Sequence, residues 1–281
     1  MHIVEAISDV RRIRDAAPGS WGLVPTMGYL HAGHLSLVER ARRENDHVGV
    51  SIFVNPTQFG PAEDLAAYPR DLAQDLRLLE EAGTDLVWTP PVEEVYPPGY
   101  QTYVTVEEVT RPLEGAARST HFRGVTTVVA RLFNVFQPDR AYFGQKDAQQ
   151  VVVLRQMVRD LSFPLELVVC PIVRESDGLA LSSRNIYLMP EQRVAAPVLY
   201  RALCAGRDAW TAGEHDGERL RQIMATVLNA EPLAHPDYVS AADPRTLAEL
   251  GDCSQGVLLS MAVRIGQARL IDNMLLGEVV D

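Results

Sequence analysis

Cysteine is scarce in this chain. Cys170, Cys204 and Cys253 are an odd number, widely spaced and set in apolar surroundings such as Leu167-Val168-Val169-Cys170, so neither a disulfide framework nor a zinc site is suggested. Positive charge is also short. With 26 Lys and Arg against 37 Asp and Glu, the formal charge is −11, which argues against a nucleic acid or an anionic membrane as partner. No apolar run approaches membrane-spanning length, and Met1-His2-Ile3-Val4-Glu5 has no basic region leading into an apolar one. A cytoplasmic protein is expected. Internal repeats and low-complexity tracts are missing as well.

What remains is an ordinary globular composition, 47% hydrophobic and 22% charged over 281 residues, enough for one large domain or two ordinary ones. A small molecule is the easier partner. An acidic chain can still bind an anion, because a few cations and backbone N–H groups dominate the field inside a cleft.

Apolar runs at Trp21 to Val24, Val48 to Val54, Leu86 to Thr89, Ala141 to Phe143 and Leu165 to Ile172 predict buried strands. Between them, His34 to Asn45, Arg70 to Ala82, Phe122 to Phe136 and Ala148 to Leu161 carry apolar residues at helical spacing. Such alternation implies right-handed βαβ units and a parallel sheet, with ligands at the carboxyl ends of its strands. The Pro-rich stretch from Pro90-Pro91 to Pro97-Pro98 reads as a surface loop. After Ile172 the pattern changes. Long helical segments around Glu191 to Trp210 and Gly217 to Leu228 precede strands at Tyr238 to Ala241, Val257 to Ile265 and Ala268 to Asp272, the last two joined by a Gly266-Gln267 hairpin turn. The fold class is therefore α/β, a Rossmann-like parallel sheet domain over 1–172 followed by a smaller α/β C-terminal domain over 173–281.

Three segments carry chemistry. In Met27-Gly28-Tyr29-Leu30-His31-Ala32-Gly33-His34 a strand ends and a helix begins, so unpaired N–H groups and the helix dipole favour phosphate, and the two histidines lie on one helical edge. Imidazole N–H groups aimed at a phosphate would stabilise charge as its anhydride is exchanged. The plainer alternative is a pair of solvated or helix-capping histidines. Gly144-Gln145-Lys146-Asp147 repeats the strand-to-helix setting, with Gly144 permitting close approach, Lys146 offering a point charge, and Gln150 one turn later offering an amide. Leu181-Ser182-Ser183-Arg184 adds hydroxyls and a guanidinium that suit triphosphate oxygens. Taken alone, the second segment is more simply a turn with a solvated helix start, and the third a capping Ser pair with a surface Arg.

These three segments, in this order, resemble the signatures of the pantoate–β-alanine ligase (pantothenate synthetase) family. Ser51-Ile52-Phe53-Val54-Asn55-Pro56-Thr57-Gln58-Phe59, Tyr68-Pro69-Arg70, His121-Phe122-Arg123-Gly124-Val125 and Arg269-Leu270-Ile271-Asp272-Asn273 resemble that family too, so the likeness runs nearly end to end. Its first and third signatures are those of the wider nucleotidyltransferase superfamily. The resemblance implies that pantoate carboxylate attacks the α-phosphate of ATP to give pantoyl adenylate and pyrophosphate, and that β-alanine then displaces AMP. By position it implies ATP contacts from Met27 through His34, from Gly144, Gln145, Lys146 and Asp147, from the Val173 backbone and from Leu181 to Arg184. His34 and His31 would act on the phosphates with Lys146, Ser182, Ser183 and Arg184, and His34 is read as mainly electrostatic. Gln58 and Gln150 would hold pantoate, supported by Asn55. His121, with Arg123, stands between a place at the substrate site and a structural contact. The resemblance further implies Mg²⁺ with the ATP, and a homodimer. Two departures stand out: Gln74 precedes Asp75 where adjacent acids are expected, leaving Asp75 as the metal contact, through water, and Ile186 stands where a small residue is usual. Another nucleotidyltransferase, such as a cytidylyltransferase or a piece of an aminoacyl-tRNA synthetase, is the nearest rival. A nucleotide sensor without turnover is a rival from another class.

Overall fold

In the computed structural model, which describes residues 1–60 and 65–277, the buried apolar runs become parallel strands. In chain order the elements are β1 (His2–Val4), α1 (Ile7–Ala16), β2 (Trp21–Thr26), α2 (Ala32–Glu44), β3 (His47–Ile52), α3 (Leu72–Glu81), β4 (Leu86–Trp88), α4 (Val92–Val95), α5 (Glu114–Ala117), α6 (His121–Phe136), β5 (Arg140–Gly144), α7 (Ala148–Asp160) and β6 (Glu166–Cys170). The strands form a 6-stranded sheet in the order β1-β4-β3-β2-β5-β6. Every pairing is parallel. Helices cover both faces, which is why the strands read as continuous apolar runs and not as alternating ones. Val24, Val48, Val50 and Val87 pack with Leu37, Val38 and Leu79 on one face, while Trp21, Leu23, Ala141 and Phe143 pack with the buried side of α6 and with Val151, Leu154 and Met157 on the other.

Strand order reverses between β2 and β5. Chains that leave β2 and β5 therefore depart to opposite sides, and a crevice opens beyond Thr26 and Gly144. The His-x-Gly-His segment and the Lys146 segment follow those two strand ends.

The chain then forms α8 (Pro190–Ala195), α9 (Val198–Thr211), α10 (Gly217–Asn229), β7 (Ala234–Ala242), β8 (Gly256–Ile265) and β9 (Ala268–Gly277). The three strands are antiparallel in the order β7-β8-β9. Leu199, Leu203, Leu220 and Met224 of α9 and α10 pack on Leu259, Met261 and Val263 of the sheet. Gly266 and Gln267 close the hairpin between the paired Ile265 and Ala268, with Gly266 at φ 59°.

Four features depart from the sequence reading. The edge strand β1 and helix α1 carry no signal strong enough to predict. The helix predicted around Glu191 to Trp210 is two helices, because Pro197 has no N–H with which to continue the ladder. The Pro-rich loop contains α4, whose Val95 is buried. Strand β9 runs on to Gly277, past an Asp272-Asn273 step that ordinarily ends a strand.

Candidate active site

The loop after β2 does not offer a bare cradle of N–H groups. Gly28 has φ 82° and Tyr29 has φ 53°, and this left-handed step turns the Tyr29 and Leu30 N–H groups toward Asp75 of α3. They donate to its carboxylate at 2.8 and 2.7 Å. A Cβ at Gly28 would stand 2.9 Å from that same carboxylate, so glycine is required there. The Gly28 N–H donates to Thr26 Oγ1, the Gly33 N–H to His31 Nδ1 and the His31 N–H to His34 Nδ1. The N–H groups of Gly28, Tyr29, Leu30, His31 and Gly33 are thus satisfied within the protein, and His34 lines the cleft. Asp75 is 1% exposed and its two oxygens accept the Tyr29 and Leu30 N–H groups, so it shapes the loop.

His31 is the N-cap of α2 and His34 closes a capping box with it, the helix-capping arrangement read from the sequence as the plainer alternative. With each Nδ1 accepting, each neutral ring carries its proton on Nε2. Burial, helped by the Lys146 charge, pushes His31 down to about 4. Burial, helped by His31 and Lys146, pushes His34 down to about 3. The rings lie 4.1 Å apart, centroid to centroid. At neutral pH both are uncharged hydrogen-bond donors with no labile acid proton.

After β3, Asn55 organises the next wall. It is 1% exposed; its Nδ2 donates to Gln58 Oε1 and to the Gly124 carbonyl, both at 3.1 Å, and its Oδ1 accepts from Thr57 Oγ1 and Tyr96 OH, both at 2.9 Å. With its carbonyl oxygen held, Gln58 presents its amide nitrogen, which lies 3.0 Å from Met27 Sδ. Gly124 lets α6 approach this turn, since a Cβ there would come within 2.4 Å of the Thr57 carbonyl oxygen. His121 Nδ1 lies 2.9 Å from the Gln58 carbonyl oxygen, so that nitrogen donates and His121 buttresses the Gln58 backbone. Arg118 donates to the same carbonyl. Tyr96, Glu114 and Arg118 belong to this region without having been read from the sequence, because each stands in or beside a four-residue helix too short to write a periodic signal.

Lys146 is the only lysine in a chain with 26 Lys and Arg. Its ammonium stands 3.9 Å from Asp147, a loose pair. A Cβ at Gly144 would meet nothing within 4 Å, so no neighbour in the chain demands its smallness. The Gln145 side chain donates to Asn273 Oδ1 at 3.0 Å. In the third segment Ser182 caps its 3-10 turn by accepting the Arg184 N–H. Ser183 is buried and donates to the Tyr29 carbonyl at 3.4 Å, so it ties this loop to the histidine loop and does not open onto the cleft. Leu181 is held by its N–H to the Val173 carbonyl at 3.0 Å.

These walls enclose a cleft of about 780 Å³. Met27, His34, Lys146, Asp147, Ser182 and Arg184 line it, and so do Asn55, Gln58, Gln150 and His121. Gly28, Tyr29, Leu30, His31, Ala32, Gly33, Gly144, Gln145, Val173, Leu181 and Ser183 are not part of this lining. Among the described residues, no three His, Cys, Asp or Glu side chains come together as a metal cage. Among them, too, no helix is long and apolar enough to cross a membrane.

The model of the pantoate-beta-alanine ligase family matches residues 2–275. The chain belongs to that family. As a pantoate–β-alanine ligase family member it is 64% identical to the pantothenate synthetase of Chloroflexus aggregans, over 98% of this chain and 100% of that one. The pantothenate synthetase structure from Thermus thermophilus superposes with a TM-score of 0.94 at 54% identity, covering 98% of this chain and 99% of that one. The pantoate-beta-alanine ligase of Francisella tularensis, solved complexed with beta-gamma ATP and beta-alanine, superposes at 0.80 with 34% identity, covering 98% and 97%. Both solved relatives thus share the α/β architecture over nearly the whole of this chain.

Proposed function

We propose that this chain joins pantoate to β-alanine to give pantothenate, with ATP cleaved to AMP and pyrophosphate through a pantoyl adenylate. The observation that carries the reading is one cleft holding two kinds of donor. His34, Lys146, Ser182 and Arg184 suit phosphate oxygens, and Gln58 and Gln150 suit a small hydroxy acid. Neutral amides are the right choice for a nucleophilic carboxylate. They fix pantoate without the tight cation pair that would blunt attack on the α-phosphate.

In the first step a pantoate carboxylate oxygen bonds to the α-phosphorus as the bond to pyrophosphate breaks. His34, locked as the Nε2–H tautomer and held neutral, donates a hydrogen bond to charge growing on the phosphates. It is an electrostatic clamp and not an acid. Lys146 and Arg184 supply full charges to the same end. In the second step the β-alanine amine bonds to the acyl carbon and AMP leaves. Mg²⁺ enters on this reading with the triphosphate, as part of the nucleotide substrate. Residues 173–281, reached through Ser182 and Arg184, form a C-terminal domain that closes over bound ATP.

Pantoate-dependent exchange of labelled pyrophosphate into ATP, without β-alanine, tests the adenylate; AMP release on adding β-alanine tests the second step. Absence of exchange sinks the adenylate mechanism, whereas pantothenate formed without exchange leaves only the net ligation standing.

A further inference from the structure

The segment Arg269-Leu270-Ile271-Asp272-Asn273 stands in the family resemblance with no role attached to Asp272 or Asn273. Both are 3% exposed within β9. Buried polar groups require partners, and the partners here are informative. Asn273 Nδ2 donates to the Gln145 and Lys146 carbonyls, each at 2.9 Å, while its Oδ1 accepts from Gln145 Nε2 at 3.0 Å. One buried amide from the C-terminal sheet therefore grips the backbone on which Lys146 stands. The 3-10 turn Gln145–Asp147 has no side-chain cap of its own.

Asp272 joins a second segment to this node. Arg174 forks onto its carboxylate at 2.6 and 2.8 Å, and the Asn273 N–H donates to it at 2.8 Å. The Arg174 guanidinium also donates to the Gly178 carbonyl at 3.0 Å and lies 4.4 Å from the centroid of the Tyr200 ring. Arg174 bridges to Ala180, next to the Leu181 N–H that is bonded to Val173. Ser182 and Arg184 follow directly. The adjacent pair Asp272-Asn273 is thus the point at which the Lys146 turn and the approach to Ser182 and Arg184 are fastened to one strand.

We propose that Asn273 is a positioning residue for Lys146, and that Asp272, through Arg174, sets the Ser182–Arg184 loop in register with it. A lysine carries a point charge on a flexible stem, so its placement is only as good as that of its backbone. The inference rests on Lys146 acting on the phosphates, as read above.

The test is Asn273→Asp in the full-length protein. It keeps the size, removes both donors and sets a carboxylate against two carbonyls. Expected is a fall of about 10- to 100-fold in kcat for pantoate-dependent pyrophosphate exchange, the cost of a misplaced catalytic group, with KM for pantoate unchanged. In a Lys146→Ala background the same change should cost less than about threefold, because residues that act through one another are not additive. Since the chain has one lysine, selective labelling gives a single side-chain resonance, and Asn273→Asp should move it. Support requires both non-additivity and the shifted resonance. An unchanged kcat, additive losses, or an unmoved resonance each overturns the proposal. Asn273→Ser, which retains one donor, gives the same readouts should the Asp variant fold poorly, and if the double variant falls below detection the resonance decides. The functional reading fails differently: the wild type shows no pantoate-dependent exchange, or Lys146→Ala retains it in full.

Discussion

The carboxylate of Asp75 holds the Leu30 N–H at 2.7 Å, fastening helix α3 to the loop that ends in His34. Asp75→Asn turns one of two engaged acceptors into a donor that faces an N–H group. A buried donor is left without a partner, at about 1–3 kcal/mol. Expected are a lower urea midpoint and slower pyrophosphate exchange, with the Mg²⁺ concentration for half-maximal rate unchanged. A raised Mg²⁺ requirement at unaltered stability would return Asp75 to the metal.

The histidines set a pH dependence. Burial lowers His31 to about 4 and His34 to about 3 from an ordinary 6.5. Between those values the unfolded chain binds protons that the folded one refuses, so stability rises with pH in that window. The contribution is complete above about 6.5 and is lost progressively as pH falls from there, down to about 4 for His31 and about 3 for His34. Melting temperatures measured from pH 7 down to about 4.5 should fall less steeply in His34→Asn than in the wild type. Equal slopes would refute the buried neutral pair. His34→Ala should slow exchange on the order of a hundredfold by loss of one preorganised donor.

Asn55 acts through Gln58. Truncating it to Ala frees Gln58 Oε1 and leaves Thr57 and Tyr96 without their shared acceptor. Initial rates at fixed ATP should give a KM for pantoate raised by about tenfold, equivalent to about 1.4 kcal/mol, with KM for ATP little changed. Equal rises in both constants would mean that the whole cleft had loosened, against a local role.

The larger sheet was legible because its strands are buried on both faces and write continuous apolar runs, whereas β1, three residues at an edge, writes almost nothing. The placing of His34 and Lys146 on the cleft was legible from residue type and from their place after strand ends, and that of Gln58 only from the family resemblance. Their supports were not. Asp75, Ser183 and Gln145 have the chemistry of ligand contacts, and sequence cannot distinguish a carboxylate aimed at a metal from one aimed at two backbone N–H groups. The end of β9 failed for a related reason: Asp and Asn usually close a strand, but Asp272 and Asn273 stay in register because Arg174 and the Lys146 turn satisfy them.

Glu114 and Arg269 join the two halves of the cleft wall. The guanidinium forks onto the carboxylate at 2.6 and 2.9 Å, and Arg269 Nε adds Asp237 at 2.7 Å. Side-chain exposures of 18% for Arg269 and 10% for Glu114 place the pair well out of water, where a mate left alone is the costly state. Arg269→Met should therefore destabilise by about 3–5 kcal/mol, since it strands a buried carboxylate. Adding Glu114→Gln to that variant should restore part of the loss, because the remaining group is then neutral. Urea unfolding of the wild type, both single variants and the double variant closes the cycle. If Arg269→Met costs less than about 1 kcal/mol, the pair behaves as an exposed ion pair and does not fasten the C-terminal sheet to the segment that carries Glu114 and Arg118.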